Sequence, residues 1–250
     1  MAARRSAPDD SPLPAYKQVR QGITAKLKSG EWKEGQLVPP EPELSRMFGV
    51  SLGTLRKAVD ELVAEKILIR KQGCGTFVMS QTHEHMLDMY FRIVRKDGDK
   101  QFPVHDLKAF RVARPDTAAA RSLGLTRDDR VFLIESLIHL HGRPAMFDRI
   151  VLPCALFPDL NGEIFRNRGR TTFGLYQSRY GVTVVRAAER LTAVTADPTL
   201  AQWLGVAPGS PLLEIQRTAF TFDDRPVEFR RRLVETSTHC YLNEIGGPCD

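Results

Sequence analysis

The sequence predicts an α+β chain in two parts: a three-helix module closed by a β-hairpin, then an antiparallel sheet with short helices between its hairpins. Three observations carry this reading. Apolar residues recur at helical spacing three times before residue 65 and mainly in extended runs after it. Gly, Pro, Asn and Asp break the later part into runs joined by tight turns. At 250 residues, 42% hydrophobic and 26% charged, the chain is long for one ordinary domain and short for three.

Residues 1–11 are small, polar and proline-punctuated, and read as a disordered tail. After Pro14, Tyr16, Val19, Ile23 and Leu27 recur at three- and four-residue spacing until Ser29-Gly30 stops the helix. Pro39-Pro40 opens a second helix over 41–48, with Glu41 and Glu43 favourably placed on its dipole and Gly49 closing it. Ser51 can cap a third helix whose buried stripe is Leu55, Ala58, Val59, Leu62 and Val63. Its opposite face carries Thr54, Arg56, Lys57, Asp60 and Glu61. Residues 67–71 form a strand, Gln72-Gly73-Cys74-Gly75 a tight turn, and Thr76-Phe77-Val78 the return strand. Three helices and a hairpin in this order make a winged helix-turn-helix over residues 12–79.

Residues 80–104 read as a linker, with a hinge at 80–84 and a first hairpin pairing 90–94 with the segment after Gln101. From 105 to 246 the chain is β-rich. A short helix at 116–123 ends at Gly124, and strands 131–139 and 144–152 flank the turn His141-Gly142-Arg143. A helix at 172–180 stops at Gly181, and a long strand follows over 182–196. Asp197 and Pro198 open a helix to 204, and strands 212–222 and 227–236 flank Asp223-Asp224-Arg225-Pro226.

Composition narrows the function classes. No apolar run approaches the roughly 18 residues of a membrane span, and nothing apolar follows Arg4 and Arg5 to make a secretory signal. Cys74, Cys154, Cys240 and Cys249 form no CxxC pair, which fits a reducing cytoplasm. Residues 1–80 hold 13 Lys/Arg against 9 Asp/Glu, and the remaining 170 hold 23 against 21, so basic charge concentrates at the front. A solvated basic face would produce so small an excess, and so would a surface for phosphates. His83/His85 and His139/His141 are HxH pairs without a clustered acidic or cysteine partner, so a solvated or packing role is favoured over metal. No G-x-S-x-G, Walker A or G-x-G-x-x-G occurs, and no cofactor is expected.

The stretch Gly35-Gln36-Leu37-Val38-Pro39-Pro40-Glu41-Pro42-Glu43-Leu44, then Phe48-Gly49-Val50-Ser51, Thr54-Leu55-Arg56-Lys57-Ala58 and Gln72-Gly73-Cys74-Gly75-Thr76-Phe77-Val78 resembles the N-terminal reader of GntR-family transcription regulators. The remainder is similar to the effector domain of the HutC branch, the UTRA domain with a chorismate-lyase-like fold. Leu152-Pro153, Phe157-Pro158-Asp159-Leu160, Tyr180-Gly181-Val182, Leu204-Gly205-Val206, Gly209-Ser210-Pro211-Leu212-Leu213 and Arg225-Pro226-Val227-Glu228 carry that likeness. The resemblance implies a ligand-responsive regulator. It would be a repressor binding a pseudo-palindromic double-stranded operator as a homodimer, released by a small-molecule effector, with no membrane partner. An enzyme with residual chorismate-lyase-like activity is the second reading; the fused reader and the lack of a legible acid/base pair weigh against it.

A recognition helix points its N-terminal residues at base edges in the major groove. Here these are Ser51, Leu52, Gly53 and Thr54, with Arg56 and Lys57 one turn in. Arg56 has the fork for a phosphate or a guanine, and the wing turn Gln72, Gly73 and Gly75 is small enough for the minor groove. Family members usually carry a basic residue where Leu52 stands, and often an arginine where Pro42 stands, so Arg56 is the arginine left on this face. Leu52 would suit a thymine methyl. For each residue the alternative is a solvated helix face. In the effector part the candidates are Arg149, Thr171, Glu189, Glu228 and Arg230. By the resemblance, the effector sits beside the central sheet near the loop before residue 172. Arg149 or Arg230 could pair an anionic group, and Glu228 and Arg230 share one strand face. A surface ion pair explains each of the five as well.

Overall fold

A computed structural model describes residues 13–33, 35–65, 67–79, 91–98, 101–169 and 171–243. It divides into two compact units, Met1–Ser80 and Gln81–Asp250. The disordered tail expected at 1–11 and the hinge expected at 80–84 lie outside the described residues.

In the first unit, α1 (Ala15–Lys28) and α2 (Glu41–Phe48) both pack on α3 (Leu52–Ala64). Val19 and Ile23, Leu44, then Leu55, Ala58, Val59 and Leu62 are the residues the three helices bury together. Gly49 ends α2 at φ 63°, a left-handed conformation that turns the chain sharply into α3. Ser51 caps α3 by accepting the Thr54 backbone N–H at 3.2 Å. β1 (Leu68–Lys71) and β2 (Gly75–Val78) form the hairpin. The loop before α2 adds a pairing the sequence did not suggest: Val38 N–H donates to Thr76 O, and Val78 N–H to Gln36 O, both at 2.9 Å. The wing is thereby tied to the base of α2.

The second unit is built on a six-stranded antiparallel sheet. Its strands are β4 (Val104–Ala113), β5 (Val131–Leu140), β6 (Arg143–Pro153), β7 (Arg186–Thr195), β8 (Pro211–Phe220) and β9 (Pro226–Glu235), in spatial order β4-β5-β6-β9-β8-β7. His141 at φ 50° and Gly142 at φ 73° form the two-residue turn that lets β5 and β6 pair. Two helices cover one face. α4 (Thr117–Leu123), capped by Asp116, buries Ala119 and Leu123 against Val131, Val151 and Phe229. The second of them, Pro198–Leu204, is capped by Asp197 and packs Ala201 and Leu204 on Leu137, Phe147 and Leu233. The opposite face carries α5 (Gly162–Arg166) and α6 (Thr172–Tyr180) over a core of Ile134, Ile150, Phe157, Phe165 and Tyr176. We number Pro198–Leu204 α7.

Two expectations are corrected, and one helix was not expected. Of residues 90–94, the described ones, 91–94, do not form a hairpin with the segment after Gln101. Instead β3 (Ile93–Arg95) pairs with β10 (His239–Tyr241), and the later segment becomes β4 on β5. The reason is burial: this ribbon places Ile93 over Ile138, Met146, Ile215 and Val234, an apolar part of the sheet that needs a cover. The strand expected from 182 starts only at Arg186, because Val182 N–H closes the end of α6 on Tyr176 O while Val182 and Val184 fill the core beneath it. And α5, capped by Asn161 through Glu163 and Ile164 N–H, is too short for its periodicity to stand out in the sequence.

Candidate functional site

Two constellations stand out, one in each unit. In the first, the exposed end of α3 presents Ser51, Leu52 and Gly53, and Leu52 is 41% exposed. The Ser51 and Thr54 hydroxyls lie 2.9 Å apart and complete the cap, so both help hold the helix end as well as facing outward. Arg56 Nε donates to Glu41 Oε2 at 2.7 Å, yet its side chain remains 60% exposed. Arg70 of β1 bonds both Glu41 and Asp60, so one carboxylate of α2 braces an arginine from the helix and one from the wing. Lys57 lays its Nζ over the Tyr16 ring at 4.0 Å, against α1. In the wing, Gly73 has φ 71° and Gly75 φ 108°; Cys74 between them and Gln72 before them are exposed.

In the second unit, strand alternation lines Glu228, Arg230 and Arg232 along one face of β9. Asp148 of β6 stands opposite Arg232 and accepts its Nε and Nη2 at 2.7 Å each, with Arg230 Nη1 at 3.1 Å. Glu228 accepts Arg230 Nε and Nη2 at 2.9 and 3.0 Å, and the Tyr176 hydroxyl of α6 at 2.6 Å. Next to them Arg217 of β8 donates to Glu189 of β7 at 2.6 Å, and Glu189 also accepts the Tyr241 hydroxyl of β10. Asp148 and Glu228 are fully buried, and Arg217, Arg230 and Arg232 nearly so. Charges this deep persist only as a mutually bonded set.

The electrostatics follow from that burial. Burial and the nearby Arg168 push the His105 imidazole down to about 3, so it is neutral at pH 7. Burial would raise the Asp148 carboxyl, but Arg232 and Arg230 outweigh it and hold it well below the usual range. Burial, with Arg230 adding to it, lowers Arg168 to about 10, while burial and Glu228 push the Tyr176 hydroxyl up. Two buried polar atoms beside this set, Ser136 Oγ and Arg168 Nε, have no hydrogen-bond partner among the described residues. Ser136 sits opposite Asp148 in the β5–β6 register.

Of the residues expected from the sequence, Glu189, Glu228 and Arg230 come together here. Thr171 caps α6, its hydroxyl accepting Gly174 N–H at 3.0 Å. Arg149 is not brought to them. Being one residue out of step with Asp148, it lies on the other face of the sheet, bonded to Glu135 in a cleft of about 220 Å³ with Phe147 and Trp203.

Residues 15–78 match the family described as bacterial regulatory proteins, gntR family, and residues 103–239 match the UTRA domain. The probable repressor of the fructoselysine utilization operon of Escherichia coli K12 is 33% identical over 218 residues, spanning 85% of this chain and 86% of its own length. The chain belongs to the GntR family. This GntR protein is a ligand-responsive, DNA-binding transcription regulator with a UTRA effector domain, and not an enzyme. MngR, the mannosyl-D-glycerate transport/metabolism system repressor of the same strain, is 25% identical over 90% of this chain and 93% of its own. Among solved structures, a ligand-binding domain assigned to a GntR-family regulator of Bordetella bronchiseptica is 33% identical. It covers 62% of this chain and 96% of that one, with a TM-score of 0.58.

Among the described residues of the regulator, no helix is long and apolar enough to cross a membrane, and no three His, Cys, Asp or Glu side chains are placed to hold a metal. His83 and His85 lie outside the described residues. In the UTRA domain the sequence reading missed Asp148, Tyr176, Arg217, Arg232, Ser136, His105 and Arg168. A signal for part of this set existed: Glu228, Arg230 and Arg232 fall at i, i+2 and i+4, and Asp148 interrupts the apolar alternates Met146, Ile150 and Leu152.

Proposed function

We propose that this regulator is a repressor that binds a pseudo-palindromic operator as a homodimer, one α3 per half-site, and is released by a small anionic metabolite. The reader spans residues 12–79 and the effector domain 105–246, joined through a hinge at 80–84, and the protein works in the cytoplasm. Ser51, Leu52, Gly53, Thr54, Arg56 and Lys57 meet the major groove, and Gln72, Gly73 and Gly75 the minor groove. Glu189, Glu228 and Arg230 bind the effector, with Thr171 holding the start of α6, while Arg149, on the opposite face, takes no part.

One observation carries the choice of an anion. On the face of the sheet under α5 and α6, Arg168, Arg217, Arg230 and Arg232 outnumber Asp148, Glu189 and Glu228, and His105 is neutral. Ser136 Oγ and Arg168 Nε, buried without partners among the described residues, are further groups that a phosphate or carboxylate oxygen would satisfy. The fructoselysine and mannosyl-D-glycerate repressors support a sugar-derived compound.

The test compares sugar phosphates and sugar acids with their neutral parent sugars, by thermal shift and by release of operator in a gel shift. The expected result is an anionic compound that raises Tm and releases DNA. Ser136→Ala should keep the apo Tm and weaken that response. Release by neutral sugars alone would overturn the reading.

A further inference from the structure

The six-stranded sheet ends on two strands, and they are protected differently. β4 is interrupted by a bulge between Leu107 and Ala109, and Lys108 pairs with Asp106 beside it. A bulge and a lysine are the devices that keep an edge strand from pairing with another chain. β7 has neither. It runs against β8 for ten consecutive residues, Arg186↔Phe220 to Thr195↔Pro211, without a register shift. No described strand pairs with its outer side. Arg190, Leu191, Thr192 and Ala193 are all exposed, so both sheet faces are open there, and Leu191 is 43% exposed. The one carboxylate of the strand, Glu189, is turned onto Arg217 and Tyr241.

We propose that β7 pairs antiparallel with β7 of a second copy of this chain, joining the six strands of each effector domain into one continuous sheet. The proposal rests on the homodimer reading above and locates its seam. Antiparallel pairing of identical strands about a two-fold axis is self-complementary, and residues that face each other stay on one side of the joined sheet. A register centred on Arg190 would oppose two guanidinium groups. Centred on Leu191, the leucine meets its own copy, and every charged residue meets an uncharged one: Arg190 faces Thr192, Glu189 faces Ala193, and Arg186 faces Ala196. Because Glu189 of this same strand binds Arg217, the seam strand carries one member of the charged cluster.

Light scattering and sedimentation equilibrium on the full chain test this. Leu191→Lys should keep the wild-type circular dichroism and weaken self-association roughly tenfold or more by opposing two ammonium groups. Val112→Lys, on the exposed β4 edge, should leave the dimer intact. Leu191→Cys, with Cys74→Ser and Cys249→Ser, should form a reducible cross-linked dimer under mild oxidation, since directly opposed residues of paired strands lie at disulfide distance. If Leu191→Lys does not fold, the cross-link decides alone. A dimer that tolerates Leu191→Lys, or one in which Leu191→Cys fails to cross-link, overturns the seam and leaves the homodimer standing. A monomeric wild type overturns both.

Discussion

Arg56 reaches out from the third helix because Glu41, fifteen residues earlier, holds its Nε. An arginine fork fixed at one corner loses less side-chain freedom on meeting a base or phosphate than a free one. Arg56→Ala should weaken operator binding by ~1–3 kcal/mol at fixed salt, read by gel-shift titration. Asp148 is the corresponding residue of the effector domain. Asp148→Ala would leave Arg230 and Arg232 buried without their shared carboxylate, at a cost of ~3–5 kcal/mol in urea unfolding. His105 gives a pH signature. Its folded pKa, about 3, lies below the ~6.5 of an unfolded histidine, so the unfolded chain takes the proton first as pH falls. Stability present above pH ~6.5 is therefore lost progressively toward pH 3. Between pH 7 and 5, above the carboxylate range, the Tm of His105→Gln should fall less than that of the wild type. At this scale the sequence reading succeeded where alternation pairs like with like, as for Glu228 and Arg230. It missed Asp148 beside the Arg149 it chose, because a one-residue step changes the sheet face and nothing in a strand's own sequence says which face is covered.

Elements were legible wherever their ends carry chemistry. Ser51, Asp116, Thr171 and Asp197 each cap the helix expected after them, and Gly49, Gly124 and Gly181 each end one in the left-handed conformation. Pairings between segments far apart in the chain were not. β3 and β10 are separated by most of the effector domain, and their match is set by the apolar patch they cover, not by either segment alone. The wing shows the same dependence. Gly75 has φ 108°, and a β-carbon there would lie 2.8 Å from Leu37 Cδ1 in the loop before α2. Gly75→Ala should cost about 1 kcal/mol or more of stability and loosen the hairpin, seen as faster hydrogen exchange at Thr76 and Val78 N–H.

At the scale of the whole molecule, labour is divided between a DNA-binding reader over residues 15–78 and a UTRA domain over residues 103–239 whose sheet buries a bonded set of charges. The excess of 13 basic over 9 acidic residues in the first 80 belongs to the part that meets phosphates. We propose that α3 reads bases with Arg56 as its main side chain. The most direct measurement is selection from random duplexes by the full-length protein, run in parallel with Arg56→Ala. The expected result is a two-fold symmetric motif for the wild type and loss of preference at one symmetric base pair per half-site in the variant. No enriched motif, or the same motif from both proteins, would contradict it.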